Sequence, residues 1–131
     1  MIVDASAVLA VILQEPDAHR FSLALAETET ARIAAPNWLE VALVIDSRAD
    51  DDLHARFATL LRAMEIVVAP FEPRHATEAR HAWQRFGRGR HPAKLNYGDC
   101  MAYGFAKAEN KPLLFKGNDF ALTDIAPALK D

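Results

Sequence analysis

The chain has 131 residues, of which 51% are hydrophobic and 25% charged, a balance ordinary for a globular protein with a core of its own. A net charge of −3 excludes a generally basic nucleic-acid binder, so any basic surface has to be local. The single cysteine, Cys100, excludes an internal disulfide framework and leads us to expect a reducing cytoplasm. No apolar run approaches the ~18 residues of a membrane span. No secretory leader is expected either, because Gln14-Glu15-Pro16 ends the apolar run that follows Asp4.

In chain order, residues 1–3 read as a buried strand, with Asp4 or Ser6 placed to cap a helix over 7–14. A break at Glu15-Pro16-Asp17 precedes an amphipathic helix over 18–27 and a short strand at 32–35. Pro36 suits the first turn of a helix reaching residue 49. Three aspartates, Asp50 to Asp52, favour the start of another helix over 53–64. Residues 66–69 are β-branched and strand-like. A helix over 73–86, a loop at 87–92 and a helix over 96–110 follow, then a strand at 113–115, a turn at Lys116-Gly117 and a weak last strand at 124–129. This alternation predicts an α/β sandwich with a mostly parallel central sheet. No linker, repeat or low-complexity tract interrupts it, so one domain is expected over 1–131.

Sites in such a fold form beyond the C-terminal ends of the strands, which makes the placement of acids informative. Most of the acids lie among other polar residues, where solvation is their usual state. Four do not: Asp4 after Met1-Ile2-Val3, Glu40 within Trp38-Leu39-Glu40-Val41, Asp99 within Tyr97-Gly98-Asp99-Cys100, and Asp119 before Phe120. At about 100° per residue, Glu40 shares a helix face with Leu43, Val44 and Ser47, and Asp99 with Ala102, Tyr103 and Ala106. Both therefore point toward the protein body or a cleft, where a lone carboxylate is costly unless paired, protonated or metal-bound. Each acid also has a plain reading. Asp4 suits a helix cap, Glu40 an arginine pair, Asp99 a helix N-terminus and Asp119 a turn.

Four such acids together suit a hard divalent cation, Mg²⁺ or Mn²⁺, which prefers oxygen ligands and keeps several waters. Zinc fits poorly: the five histidines lack an H-x-x-x-H pair, one cysteine makes no thiolate site, and the histidines read as surface residues.

These residues carry a resemblance. Val3-Asp4-Ala5-Ser6, Glu40 on the third helix, Asn96-Tyr97-Gly98-Asp99-Cys100 and Leu113-Leu114-Phe115-Lys116-Gly117-Asn118-Asp119-Phe120 resemble, in order and spacing, the PIN-domain ribonucleases. More narrowly, the chain is similar to VapC-type toxins of bacterial toxin–antitoxin pairs. The resemblance implies a parallel-sheet α/β sandwich and Mg²⁺- or Mn²⁺-dependent hydrolysis of RNA phosphodiesters, with water attack leaving a 5′-phosphate. It further implies metal-binding roles for Asp4 and Asp99, completion of the cluster by Glu40 and Asp119, and support of Asp4 by Ser6. A cognate VapB-type antitoxin and a homodimer are implied as partners, the dimer also by apolar helix content around residues 21–25 and 43–45. Lys116-Gly117-Asn118 departs from the family pattern before the last acid, which leaves Asn118 or Asp124 to share the role of Asp119.

The local basic surface is the stretch from Arg85 to Lys94, with Arg88 and Arg90 between them and no acid. Leading into the Asp99 helix, it is expected to rim the acidic cleft as a mobile loop and grip phosphates, with Lys116 as a further contact. Phe86 and Tyr97 are candidates for stacking on bases, while Trp38 and Trp83 read as core. Two rival functions remain. A phosphatase of the haloacid-dehalogenase kind also places an aspartate after its first strand, but it wants a second one two residues on, where this chain has Ser6. The other rival is a non-catalytic module whose acids pair with a basic partner.

Overall fold

The computed structural model describes residues 1–130. Four strands form one parallel sheet: β1 (Ile2–Val3), β2 (Ala31–Ala34), β3 (Ile66–Ala69) and β4 (Leu113–Leu114), in spatial order β3-β2-β1-β4. Six α-helices connect them: α1 (Ala5–Ile12), α2 (Ala18–Glu27), α3 (Ala35–Asp46), α4 (Asp51–Ala63), α5 (Pro73–Phe86) and α6 (Tyr97–Glu109). The α/β sandwich with a parallel sheet expected from the alternation is present.

Period-2 alternation along the strands sorts the helices into two layers. Val3, Ile33, Ile66 and Leu114 pack into the core shared with α1, α2, α3 and α4. Ile2, Ala34, Ala69 and Leu113, of the opposite parity in their strands, face the opposite core, built from α5 and α6. These two helices approach each other closely at Gly104, where a Cβ would come within 2.5 Å of the Ala79 backbone nitrogen and 2.6 Å of the His75 carbonyl oxygen.

Several elements differ from expectation. Helix α1 starts at Ala5 because the Asp4 side chain accepts a hydrogen bond from the Ser6 backbone N–H. Helix α3 ends at Asp46, and the polar stretch that follows carries no helix before Asp51. The expected last strand is reduced to one bridge between Leu113 and Pro127, flanked by bonds from Leu113 N–H to the Ala126 carbonyl and from Ala128 N–H to the Leu113 carbonyl. A one-turn 3₁₀ helix at Phe120–Leu122 takes up the chain just before it.

The histidine expectation also changes at one position. His75 is buried, its Nδ1 accepting from the Glu72 N–H, which leaves Nε2 to donate to Glu109. Arg32 and Arg74 bind the same Glu109 carboxylate. Glu109, which reads as solvated in the sequence, thus ties the end of α6 to α5 and β2.

Candidate active site

The chain runs from β1 to β2 to β3 on one side, then returns to place β4 on the other side of β1. The crevice between the C-terminal ends of β1 and β4 is therefore the switch point of the sheet, where ligand sites of open α/β folds form. Asp4 is the first residue beyond β1, and its N–H bonds to the Leu114 carbonyl of β4 at 2.9 Å. Only 4% of Asp4 is exposed. Its Oδ2 accepts both the Ser6 N–H, at 3.0 Å, and the Ser6 hydroxyl, at 2.5 Å. The same hydroxyl oxygen accepts the Lys116 N–H at 3.0 Å, so Ser6 spans the crevice from β1 to β4. Capping and site placement coincide in one aspartate.

Glu40 is brought in by α3 and Asp99 by the first turn of α6. Asn96 and Asp99 cap that helix reciprocally, each side chain accepting from the other's N–H, at 2.9 and 3.0 Å. Burial pushes the Asp4 carboxyl up to about 7; the Ser6 bonds oppose the rise, and the charges of Glu40 and Asp99 add to it. Burial also raises Glu40, with Asp99 adding to it against a hydrogen bond from Asn37. Asp99 is raised by burial and by Asp119, against the Asn96 bond and the charge of Arg88. The structure thus brings Asp4, Glu40 and Asp99 within electrostatic reach of one another, with Asp119 acting on Asp99.

The remaining candidates are placed as follows. Asp119 immediately precedes the 3₁₀ turn without a side-chain capping bond, and Asn118 beside it is exposed. Asp124 lies outside the coupling, held by the Tyr103 hydroxyl at 2.5 Å, Lys107 at 3.2 Å and Arg85 at 3.4 Å. Arg85 is thereby engaged, and its guanidinium also lies over the Phe86 ring. Lys116 is engaged too, paired with Glu15 and Asp17. Arg88, Arg90 and Lys94 are exposed, with Arg90 over Trp83.

The basic loop, expected to be mobile from its glycines and proline, is anchored to the body of the protein at several points. Ala93 and Leu95 are fully buried, the Arg88 N–H donates to the Leu95 carbonyl and the Leu95 N–H to the Phe86 carbonyl, and His91 packs edge-on against Phe86. Phe86 is buried and unable to stack on a base, whereas Tyr97 is 80% exposed beside Asp99. Trp38 packs on Phe57 against the core, but Trp83 is 39% exposed and outside it.

Two residues of the site escape a reading of acids alone. Asn37 is buried, and its Nδ2 donates to Glu40 Oε1 at 3.1 Å and to the Gly98 carbonyl at 3.0 Å. Gly98 lies so close that a Cβ there would meet Glu40 Oε2 at 2.5 Å. The available signals were spacing alone: Asn37 precedes Glu40 by one helical turn, and Gly98 adjoins Asp99.

The donor set suits a hard cation. It consists of carboxylate oxygens whose mutual repulsion a divalent charge would relieve, with no histidine, and the nearby Cys100 thiol is buried and pushed up to about 11. Among the described residues, no three of these side chains are drawn in tightly enough to ligate a single ion. Mg²⁺ needs only one or two direct carboxylates, so the set fits it.

Sequence and fold together match a known class. A family model described as "PIN domain" matches residues 1–126, and the chain belongs to that family. It is 43% identical over 130 residues to "VapC ribonuclease Mb0625" of Mycobacterium bovis, covering 98% of each chain, and 39% identical to "Ribonuclease VapC" of Mycolicibacterium smegmatis, covering 96% of this chain and 98% of that one. Among solved structures it superposes on VapBC2 from Rickettsia felis bound to a promoter DNA fragment, with a TM-score of 0.72 at 14% identity, covering 96% of this chain and 95% of that one. It also superposes on FitAcB from Neisseria gonorrhoeae, with a TM-score of 0.69 at 19% identity, covering 97% and 96%. The resemblance read from the motifs holds over nearly the whole chain.

Proposed function

We propose that the protein is a Mg²⁺- or Mn²⁺-dependent endoribonuclease acting as a VapC-type toxin, held inactive in the cytoplasm by a VapB-type antitoxin. The observation that carries this reading is the buried Asp4 at the switch point, coupled to Glu40 and Asp99, in a chain 43% identical to a named ribonuclease. The chemistry supplied by a bound divalent cation is positive charge against the scissile phosphate and easier deprotonation of water. Asp4 and Asp99 are the carboxylates to hold it, with Glu40 and Asp119 completing the group. Ser6 fixes the rotamer of Asp4, and the exposed Arg88, Arg90 and Lys94 offer charge for RNA phosphates. Water attack in line with the leaving oxygen leaves a 5′-phosphate.

The phosphatase alternative lacks its second aspartate: Ser6 stands there, with its hydroxyl committed to Asp4 and Lys116. Incubating purified protein with a single-stranded RNA, with Mn²⁺, with Mg²⁺ and with EDTA, tests the reading. Cleavage restored by either metal and abolished by EDTA is expected. Hydrolysis of p-nitrophenyl phosphate without RNA cleavage would favour the phosphatase, and metal binding with neither activity would favour the interaction module. Among the described residues, no helix is long and apolar enough to cross a membrane.

Of the two stretches that suggest a homodimer in the sequence, Phe21, Leu25 and Ile45 are core, whereas Leu23 and Leu43 are exposed. The homodimer is proposed on the face where Leu43 is joined by the exposed Leu39, Trp83 and Tyr97. A groove of about 530 Å³ between α5 and α6 and one of about 420 Å³ between α3 and α6 share Phe71, Tyr97 and Met101, making one apolar face suited to a second copy. Sedimentation at micromolar concentration should give a dimer, and a monomer would remove this part of the proposal.

A further inference from the structure

Asn37 is 1% exposed, yet it carries an amide in a helix whose other buried residues are apolar. Both of its protein bonds leave from Nδ2, one to the Glu40 carboxylate on its own helix and one to the Gly98 carbonyl in the first turn of α6. Its Oδ1 is buried and finds no donor among the described residues. A buried amide with an unsatisfied oxygen is a poor stabiliser of a core, where an apolar side chain of similar size serves better. The residue is therefore better explained by what its Nδ2 holds. Gly98 completes the socket from the opposite side, because only the absence of a side chain there lets Glu40 Oε2 lie against the α6 backbone.

We propose that Asn37 is the positioning residue of the acid site: with Gly98 it locks the Glu40 carboxylate of α3 onto the helix turn that presents Asp99. This rests on the nuclease reading and adds the means by which two acids from different helices keep a fixed separation. Among the described residues no other side-chain hydrogen bond joins α3 to α6; Asn37 alone ties the Glu40 carboxylate to the Gly98 carbonyl beside Asp99. Orienting partners of this kind set ligand geometry, and their loss lowers metal affinity or activity by ~10–100-fold.

The test compares wild type with Asn37→Leu, which keeps the volume and removes the donor, and with Asn37→Ser, which returns a shorter donor. Three quantities are read: kcat and KM on a single-stranded RNA, Mn²⁺ affinity by electron paramagnetic resonance titration, and thermal midpoint. Asn37→Leu is expected to lower kcat and Mn²⁺ affinity by at least about 10-fold, with KM little changed and the midpoint equal to or above wild type. Asn37→Ser is expected to recover part of the loss. The decisive readout is a double-mutant cycle with Glu40→Ala: in that background Asn37→Leu should add little further loss, because its partner is already gone. Full additivity would overturn the proposal, as would a wild-type Mn²⁺ affinity and kcat in Asn37→Leu. If Asn37→Leu fails to fold, Gly98→Ala displaces the same carboxylate from α6 and should show the same lack of additivity. A wild-type protein that neither binds Mn²⁺ nor cleaves RNA would instead sink the nuclease reading, and this inference with it.

Discussion

At Asp4, one carboxylate caps a helix, bridges to the neighbouring strand through Ser6 and stands among like charges, and its titration records the conflict. Its pKa is raised to about 7 in the fold, against about 3.9 for a free aspartate. Between those values the folded state binds more protons than the unfolded one, so this group makes stability fall as pH rises from about 4 to about 7. The penalty is fully present above pH 7 in metal-free protein. Asp4→Asn should therefore raise the metal-free unfolding free energy at pH 8, by on the order of 2 kcal/mol once weaker bonding to Ser6 is allowed for. At pH 4 it should bring no gain. Denaturant titrations at the two pH values check this. In the same preparations Asp4→Asn and Asp99→Asn should each lose RNA cleavage by more than about 100-fold. Near wild-type cleavage by either variant would show the site to be misplaced.

That Asp4, Glu40 and Asp99 lie together was legible because each sits among apolar or small neighbours, a placement that solvation does not explain. Asn37 was not, because an amide three residues before an acid has no pattern of its own until the other helix is in place. The same applies to Trp83: its residue type suggests core, but the surface it faces is left open by the fold. Glu40 and Leu43 share a face as the spacing predicts, yet that face is the wall of a groove and Leu43 is exposed.

Among the elements, α6 does the most. From Cys100 to Ala106 it is buried without a break, it presents Asp99 at one end, and Glu109 clamps the other. The bonds from His75 and Arg32, with Arg74 alongside, hold the Glu109 carboxyl down to about 2. This group stabilises the fold above the free pKa of about 4.3, and the contribution is lost as pH falls through about 2. Glu109→Gln should thus be less stable than wild type at pH 6, by on the order of 1–3 kcal/mol, and the gap should close by pH 2. Circular dichroism melts across that range would reveal it; a constant gap would mean that the clamp is not ionic. None of this clamp was legible, since it joins three elements distant in sequence. Strand β3 was legible from its β-branched run, and β2 as a short strand between two helices. The expected strand near the C-terminus was not realised beyond one bridge, since only Leu113 offers it a partner.

On the scale of the whole molecule, a chain of net charge −3 must attract RNA to an acidic crevice through a few exposed cations. Arg88 and Arg90 are exposed, and Arg88 is close enough to lower the pKa of Asp99. Changing both to alanine in an Asp99→Asn background should flatten the dependence of log K on log salt by roughly 1.4, at roughly 0.7 per lost phosphate contact. Fluorescence titration at several salt concentrations measures the slope. No change would move the RNA path elsewhere on the surface. Layer order and sheet direction were legible from alternation alone, because period-2 strands between amphipathic helices admit few arrangements. The continuous apolar face of α3, α5 and α6 was not, as it depends on side chains from all three meeting at Phe71, Tyr97 and Met101.

The close approach of α5 and α6 at Gly104 has a genetic consequence. A methyl group there would press on backbone atoms of Ala79 and His75, which cannot turn aside as a side chain tip can. The helices must separate, at a typical destabilisation of about 1–3 kcal/mol, and Asp99 moves with α6. If the protein arrests growth when expressed without its antitoxin, colonies that survive induction should carry Gly104→Ala or Gly104→Ser as well as changes at the acids. Such escape alleles would lie five residues along the helix from Asp99 and touch no RNA. Sequencing survivors that still make full-length protein would find them, and their consistent absence would show that the helix pair can open without disturbing the acids.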